Sequence, residues 1–253
     1  MNGFSAFLGK ELQEIKKTWR IWVIPGMLLF FAVSSPLLAL LMPTLISSMA
    51  ESQPGVTITL PPATWVDAYG QFLKNLNQIV LIAIVITGAG SISGERASGT
   101  AVLTLTKPIA RSAFILAKIL SQSILLVACS ALGAILCAAL TRVIFGPAPL
   151  WPFAEAVLLW LAFALLLVTL MTLVSVWFPA RGAAAGAGLA FLFLNFLIAI
   201  WAPAVRYTFA GLLPAASKAL VGQPPVVWPL VTAAGMSVVC AVVAVRIFRR
   251  QEL

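Results

Sequence analysis

Six runs of at least 20 residues contain no Asp, Glu, Lys or Arg, and they limit what this chain can fold into more than any other feature. They cover residues 21–50, 75–94, 119–141, 156–180, 182–205 and 219–245. A helix crossing the hydrocarbon core of a bilayer needs about 20 predominantly apolar residues, and only a helix satisfies its own backbone there without closing a barrel. The predicted fold class is therefore an all-α polytopic membrane protein with six transmembrane helices, in one transmembrane domain covering 1–253. Approximate spans are 21–50, 75–94, 119–141, 156–180, 182–205 and 226–247. Charged residues make up 9% of the chain, against about 25% in water-soluble domains, so no water-facing surface of ordinary composition can be built.

The same residues exclude whole classes of chemistry. Histidine is absent, which removes imidazole metal sites, haem ligation, Ser-His triads and histidine proton relays together. Cys129, Cys137 and Cys240 all fall in apolar runs and read as packing residues rather than a disulfide framework. Too little chain lies between the spans for a catalytic domain. No catalytic, cofactor or metal site is predicted.

The net charge of +9 reads as membrane topology, because the basic residues flank spans; no nucleic acid is expected as a partner. Cytoplasmic loops carry the excess of Lys and Arg. With a cytoplasmic N-terminus, twelve basic residues lie inside (Lys10, Lys16, Lys17, Arg20, Arg96, Lys107, Arg111, Lys118, Arg181, Arg246, Arg249, Arg250) and four outside (Lys74, Arg142, Arg206, Lys218). Both termini are expected in the cytoplasm, and the protein in the cell's inner (plasma) membrane. Ser48-Met49-Ala50 resembles a cleavage site, but 30 uncharged residues exceed the roughly 7–15 of a signal-peptide core, so an uncleaved span is expected. Pro25, Pro36 and Pro43 are expected to kink or trim it.

Residues 2–20 are predicted to form an amphipathic interfacial helix, with Phe4, Phe7, Leu8, Leu12, Ile15 and Trp19 on one face. Trp65, Tyr69 and Phe72 suggest a second short interfacial helix feeding span two. Residues 203–225, with Pro203, Pro214, Pro224 and Pro225 among apolar residues, read as broken helices at the outer face. Their breaks are expected to leave helical pieces at 207–213 and 215–221.

The longest inner connection, 94–112, has the most informative sequence. It reads Gly94-Glu95-Arg96-Ala97-Ser98-Gly99-Thr100 and continues to Thr106-Lys107-Pro108 and Arg111. Glu95 near a helix start suits the positive end of the helix dipole. Val102, Leu103 and Leu105 give a small apolar face. Lys107-Pro108 ends it, and Pro108 can open the next helix.

This stretch resembles the type-2 ABC-transporter permease family, through Ser93-Gly94-Glu95-Arg96, Gly99-Thr100, Thr106-Lys107-Pro108 and Arg111 within a six-span plan. The resemblance implies that Glu95, Arg96, Gly99, Thr100, Pro108 and Arg111 couple the spans to cytoplasmic ABC ATPase subunits through a coupling helix. It also implies a second permease chain, in a homo- or heterodimer. The bland alternative is that these charges only fix topology. The chain has no G-x-x-x-x-G-K-[ST] phosphate loop: Gly9-Lys10 has Phe4 where the first glycine belongs. ATP and Mg are accordingly expected on the partner ATPase.

Within the spans, Asn195 is the strongest polar residue, placed midway along the fifth. It is read as lining a path or bonding across an interface, with plain interhelical packing beside it. Thr87, Ser130, Thr169, Thr172, Ser175 and Ser237 are expected to bond their own helix backbone. Lys118 is expected to snorkel to the surface. Gly182 and Gly186 stand in a G-x-x-x-G relation, as do Ala184 and Gly188, and read as helix-packing or dimer contacts. The expected function is an exporter permease with an amphiphilic or apolar cargo, since no ionisable group lies within a run. The alternatives are a mechanotransmitting permease serving an extracytoplasmic maturation system, or a secondary transporter or channel, which should show buried charges or matched broken helices. A membrane enzyme would need clustered acids or histidines.

Overall fold

The computed structural model describes residues 3–17, 20–51, 61–97, 99, 110–224 and 227–250. Among them there is no β-strand. The helices are α1 (Gly3–Lys17), α2 (Arg20–Glu51), α3 (Trp65–Asn75), α4 (Leu81–Ala89), α5 (Ser93–Ala97), α6 (Arg111–Phe145), α7 (Leu150–Trp177), α8 (Arg181–Ile198), α9 (Ala202–Tyr207), α10 (Leu212–Ala219) and α11 (Val227–Arg250). A π-helical turn, Leu76–Val80, joins α3 to α4, and a 3-10 turn, Phe209–Gly211, joins α9 to α10. Six helical stretches are long and apolar enough to cross a membrane: Trp22–Ser48, Trp65–Ala97, Arg111–Phe145, Leu150–Trp177, Arg181–Ile198 and Val227–Arg250. The chain is an all-α, multi-pass membrane protein.

Successive spans run in opposite directions, so the bundle has two ends. At the proximal end, Phe7 of α1 stacks on Phe114 of α6 with centroids 5.4 Å apart, and Phe114 stacks on Phe248 of α11 at 5.2 Å. These rings, with Ile92, Ile115 and Val176, form a small core of their own. At the distal end lie the start of α3, the α6–α7 connection, and α9 and α10.

The centre is α7, against which α4, α6, α8, α10 and α11 pack. Its sequence is apolar on every side, as suits a helix packed on most of its faces: Trp160, Phe163, Leu166 and Leu167 are completely buried, while Leu158 is exposed. Between spans the drive is close packing rather than water exclusion, because lipid is as apolar as leucine. Met171 illustrates this. A Cβ on Gly88 of α4 would lie 2.8 Å from the Met171 Cβ, and one on Gly188 of α8 would lie 2.4 Å from its sulfur. Glycine at both positions lets three helices meet around one side chain. By contrast α8 and α11 are rim helices, with Phe193, Phe196, Val238 and Val239 exposed.

Several expectations are corrected. Of the kinking or trimming expected at Pro25, Pro36 and Pro43, trimming does not occur: α2 continues through all three, since each removes only one donor from a ladder of many. The α3 helix does begin at Trp65, where the Asp67 carboxylate accepts the Thr64 backbone N–H at 2.8 Å, an N-terminal capping arrangement. Rather than standing apart, it continues through the π turn into span two. Tyr69 and Phe72 are fully buried, and Tyr69 stacks on Phe153 of α7 at 4.0 Å, because the spacing of three to four residues that makes the face aromatic points it at α7. The fifth span stops at Ile198 instead of 205, where a turn at 199–201 precedes Ala202-Pro203. The broken element at the distal end is α9, the 3-10 turn and α10, and its breaks differ from those expected. Pro214 lies in the first turn of α10, where its missing N–H is harmless.

Candidate functional site

The second span ends in a built corner. Helix α4 stops at Ala89, the chain turns through Gly90 to Ile92, and α5 begins at Ser93. Ser175 of α7 holds that corner: its Oγ accepts the backbone N–H groups of Ile92 and Ser93, both at 3.0 Å, and its hydroxyl donates to the Ala89 carbonyl at 2.9 Å. The Ser93 hydroxyl donates to the same carbonyl at 2.8 Å. The backbone groups that a helix break exposes are thereby paired inside a region without water. Thr87, Thr169, Thr172 and Ser237 donate to their own helix backbone, as expected. Ser130, whose buried hydroxyl has no partner among the described residues, and Ser175 depart from that pattern, and nothing in their local sequence distinguished them.

Each residue of Ser93-Gly94-Glu95-Arg96 then has a partner in this chain. A Cβ at Gly94 would lie 2.7 Å from the Arg181 guanidinium, so glycine lets that side chain lie against the backbone. Glu95 pairs with Lys118 of α6. The Arg96 guanidinium donates to the Val176 carbonyl at 3.2 Å, and Arg111 to the Arg249 carbonyl at 2.9 Å, with a longer contact to Phe248 at 3.5 Å. Both arginines therefore sit where cations are favoured, on the carbonyl ends of α7 and α11.

Lys118 is the hub of this end. It does not snorkel: it is 2% exposed and bonds Glu11 of α1 at 3.0 Å as well as Glu95. Glu11 is itself 5% exposed. Two opposite charges were available at once within reach of its ammonium group, so pairing replaced the route to the surface. Lys10 completes the cluster by bonding Glu14 at 3.0 Å. Burial lowers the Lys10 pKa, but the hydrogen bond and charge of Glu14, with the charges of Glu11 and Glu95, outweigh this and leave it raised. Carboxylate oxygens of Glu11, Glu14 and Glu95 lie within 4.8 Å of one another, close enough to share a cation. Lys118 and Lys10 are the cations that meet them.

Of the residues expected to form the coupling segment, Glu95, Arg96 and Arg111 are thus gathered at the proximal end. Gly99 follows α5 in a turn with φ 72°, a conformation glycine adopts without strain. Thr100 and Pro108 lie outside the described residues.

The other expected sites lie along α8. A Cβ on Gly182 or Gly186 would meet nothing within 4 Å, whereas Gly188 packs within the chain on Met171 and Val85. The run of small residues is thus split between an open face and an internal one. Asn195 is one turn from the distal end of α8, not midway along its span, because that helix ends early. It lines a cavity of about 610 Å³ between the α3–π junction, α8 and α10, together with Lys74, Asn77, Leu192, Phe196 and Ser217. The carboxamide oxygens of Asn77 and Asn195 are buried and have no hydrogen-bond partner among the described residues. Asn77 lies in the π turn, a distortion common at functional sites.

The fold and its packing define a six-span helical membrane protein with a charge-locked end and a cavity-bearing end. The chain belongs to the family described as protein of unknown function (DUF2705), whose model matches residues 37–253. It is also similar to the uncharacterized transmembrane protein YxlG of Bacillus subtilis (strain 168), at 25% identity over 189 residues, covering 75% of this chain and 73% of that protein.

Proposed function

We propose that this chain is the membrane permease subunit of an ATP-driven exporter of the type-2 ABC kind. In this reading a separate cytoplasmic ATPase binds ATP and Mg and acts on the 94–112 segment. A second permease chain completes the membrane part, both termini face the cytoplasm, and the protein resides in the plasma membrane. One observation carries the reading: the contacts at the proximal end converge on the two flanks of residues 98–109. On one flank, Glu95 and Arg96 bind α6 and α7; on the other, Arg111 binds the end of α11. Through Lys118 the first flank also reaches α1. A push delivered to this segment is passed to four helices at once, as a coupling element requires. The excess of basic residues near this end supports a cytoplasmic orientation.

The test is co-expression with a candidate ABC ATPase chain. Leu103→Asp with Leu105→Asp is expected to abolish co-purification. Glu95→Ala with Arg111→Ala is expected to keep membrane insertion but lose permease-stimulated ATP hydrolysis. Full stimulation in that second variant, or a chain working with no nucleotide-hydrolysing partner, would overturn the reading.

A further inference from the structure

The cavity at the distal end has a chemistry that coupling does not use. Its volume, about 610 Å³, lies in the range of pockets that enclose small ligands, about 300–1,000 Å³. Asn195 is 4% exposed, and its amide oxygen, like that of Asn77, finds no donor among the described residues. A buried acceptor left in this state costs about 1–3 kcal/mol, so two of them lining one cavity call for a ligand that brings hydrogen-bond donors. The charge of the lining decides which donors. Among the described residues Lys74 lines the cavity and no acidic residue does, so a cationic ligand would be repelled. Hydroxyl donors on a molecule carrying negative charge satisfy both conditions.

The walls supply the rest of the ligand. Leu192, Phe196 and Ile200 line the cavity on the rim helix α8 and the turn after it, and Phe196 is 66% exposed. The apolar wall therefore continues outward onto a surface that faces lipid. The cavity also lies at the end of the spans, beside the exposed Trp201, a residue type that favours headgroup depth. Polar groups with a single cation at that depth, opening onto an apolar face, match a lipid better than a free metabolite.

We propose that this cavity binds the headgroup of an anionic, hydroxyl-bearing membrane lipid. The lipid phosphate is held by Lys74, the headgroup hydroxyls donate to Asn77 and Asn195 once those carboxamides turn into the cavity they line, and the acyl chains lie against Leu192 and Phe196. The proposal is independent of the ATP-coupling reading, because binding requires no second chain.

The test is titration of the purified chain in detergent, followed by native mass spectrometry, with four probes: dioleoyl phosphatidylglycerol, dioleoyl phosphatidylcholine, glycerophosphoglycerol and inorganic phosphate. The expected result is one saturable phosphatidylglycerol site, at least about tenfold tighter than phosphatidylcholine, with the two chain-free probes weaker still. Lys74→Glu should weaken phosphatidylglycerol about tenfold or more, and Asn195→Leu about fivefold, with phosphatidylcholine unchanged. Lys74 is exposed, so its substitution keeps the test valid even if Asn195→Leu fails to fold. Equal binding of the two lipids, or indifference to Lys74→Glu, would overturn the proposal. Phosphate or glycerophosphoglycerol binding as tightly as the lipid would overturn its lipid source and leave a soluble-anion site.

Discussion

The two ends of the bundle treat most of their polar groups differently. At the proximal end, Ser175, Lys118, Arg96 and Arg111 are each bonded to another helix or to a helix terminus. At the distal end, Asn77 and Asn195 line a cavity, and their amide oxygens are buried with no hydrogen-bond partner among the described residues. Low-dielectric surroundings make both choices costly: a densely bonded network rigidifies its helices, here with the Ser91 hydroxyl and one Glu11 oxygen left without a hydrogen bond among the described residues, and a sparse one carries the desolvation of every unpaired group. The contrast separates an end built to keep its shape from an end built to receive something. Substitutions at the proximal end should therefore cost stability, and removal of a polar group at the distal end should not.

The strongest challenge to the proximal end is Lys118→Met, which leaves Glu11 and Glu95 close together with the half-exposed Lys10, 3.8 Å from Glu11, as the remaining cation of the cluster. Removing one partner of a buried ion cluster costs about 3–5 kcal/mol, and thermal unfolding in detergent should read most of that. Adding Glu11→Gln and Glu95→Gln to the same chain should recover the larger part, because the penalty comes from unpaired charge and not from lost volume. If Lys118→Met alone is neutral, the hub is only decorative.

This cluster was partly legible in the sequence. Glu11 follows Phe7 by four residues, and Lys118 follows Phe114 by four, so each helix carries a ring and a charge on one face. The structure pairs ring with ring at 5.4 Å and charge with charge at 3.0 Å. The opposite signs were the available signal, although a lone lysine near the end of an apolar run suggests snorkelling first. The six spans were legible because uncharged length is a physical requirement of the bilayer. Ser175 was not, since a serine bonding its own helix and a serine bonding a neighbouring break have the same sequence. Nor was the cavity, for Lys74, Asn77 and Asn195 are brought together only by the packing of α8 and α10 against the start of span two.

Next in size is Ser175→Ala. It leaves the Ile92 and Ser93 N–H groups and the Ala89 carbonyl short of one partner each, though Ser93 still donates to that carbonyl. Two unsatisfied buried donors cost about 2 kcal/mol or more together. Amide hydrogen exchange at Ile92 and Ser93 should accelerate while the centre of α7 stays protected. Uniform exchange across both would mean that the corner is held by packing alone.

The small residues of α8 sharpen the comparison along a single helix. Gly188→Ala must displace Met171 and Val85, and overpacking of this kind costs about 1–3 kcal/mol; the flexible methionine places the expected value near the lower limit. Gly186→Ala, facing open space, should leave the isolated chain's unfolding temperature unchanged. If Gly186→Ala instead weakens a cross-linkable pair of chains while Gly188→Ala does not, the open face is the one that meets a second permease.

The smallest expected effect has the opposite sign. Asn195→Leu removes a buried amide whose oxygen has no partner among the described residues, and the adjacent cavity has room for the branched side chain. Deleting an unsatisfied polar group in favour of an apolar one of comparable shape is neutral or stabilising, here by about 1 kcal/mol at most once the loss of any bound donor is included. The measurement is thermal unfolding of both chains in detergent with and without phosphatidylglycerol. The parent should gain stability from the lipid, as any ligand of the folded state confers. The variant should start higher and gain less, so that the two curves converge as lipid is added. A variant that starts lower would mean that Asn195 is a packing residue after all, and that the two ends differ less than their hydrogen bonds suggest.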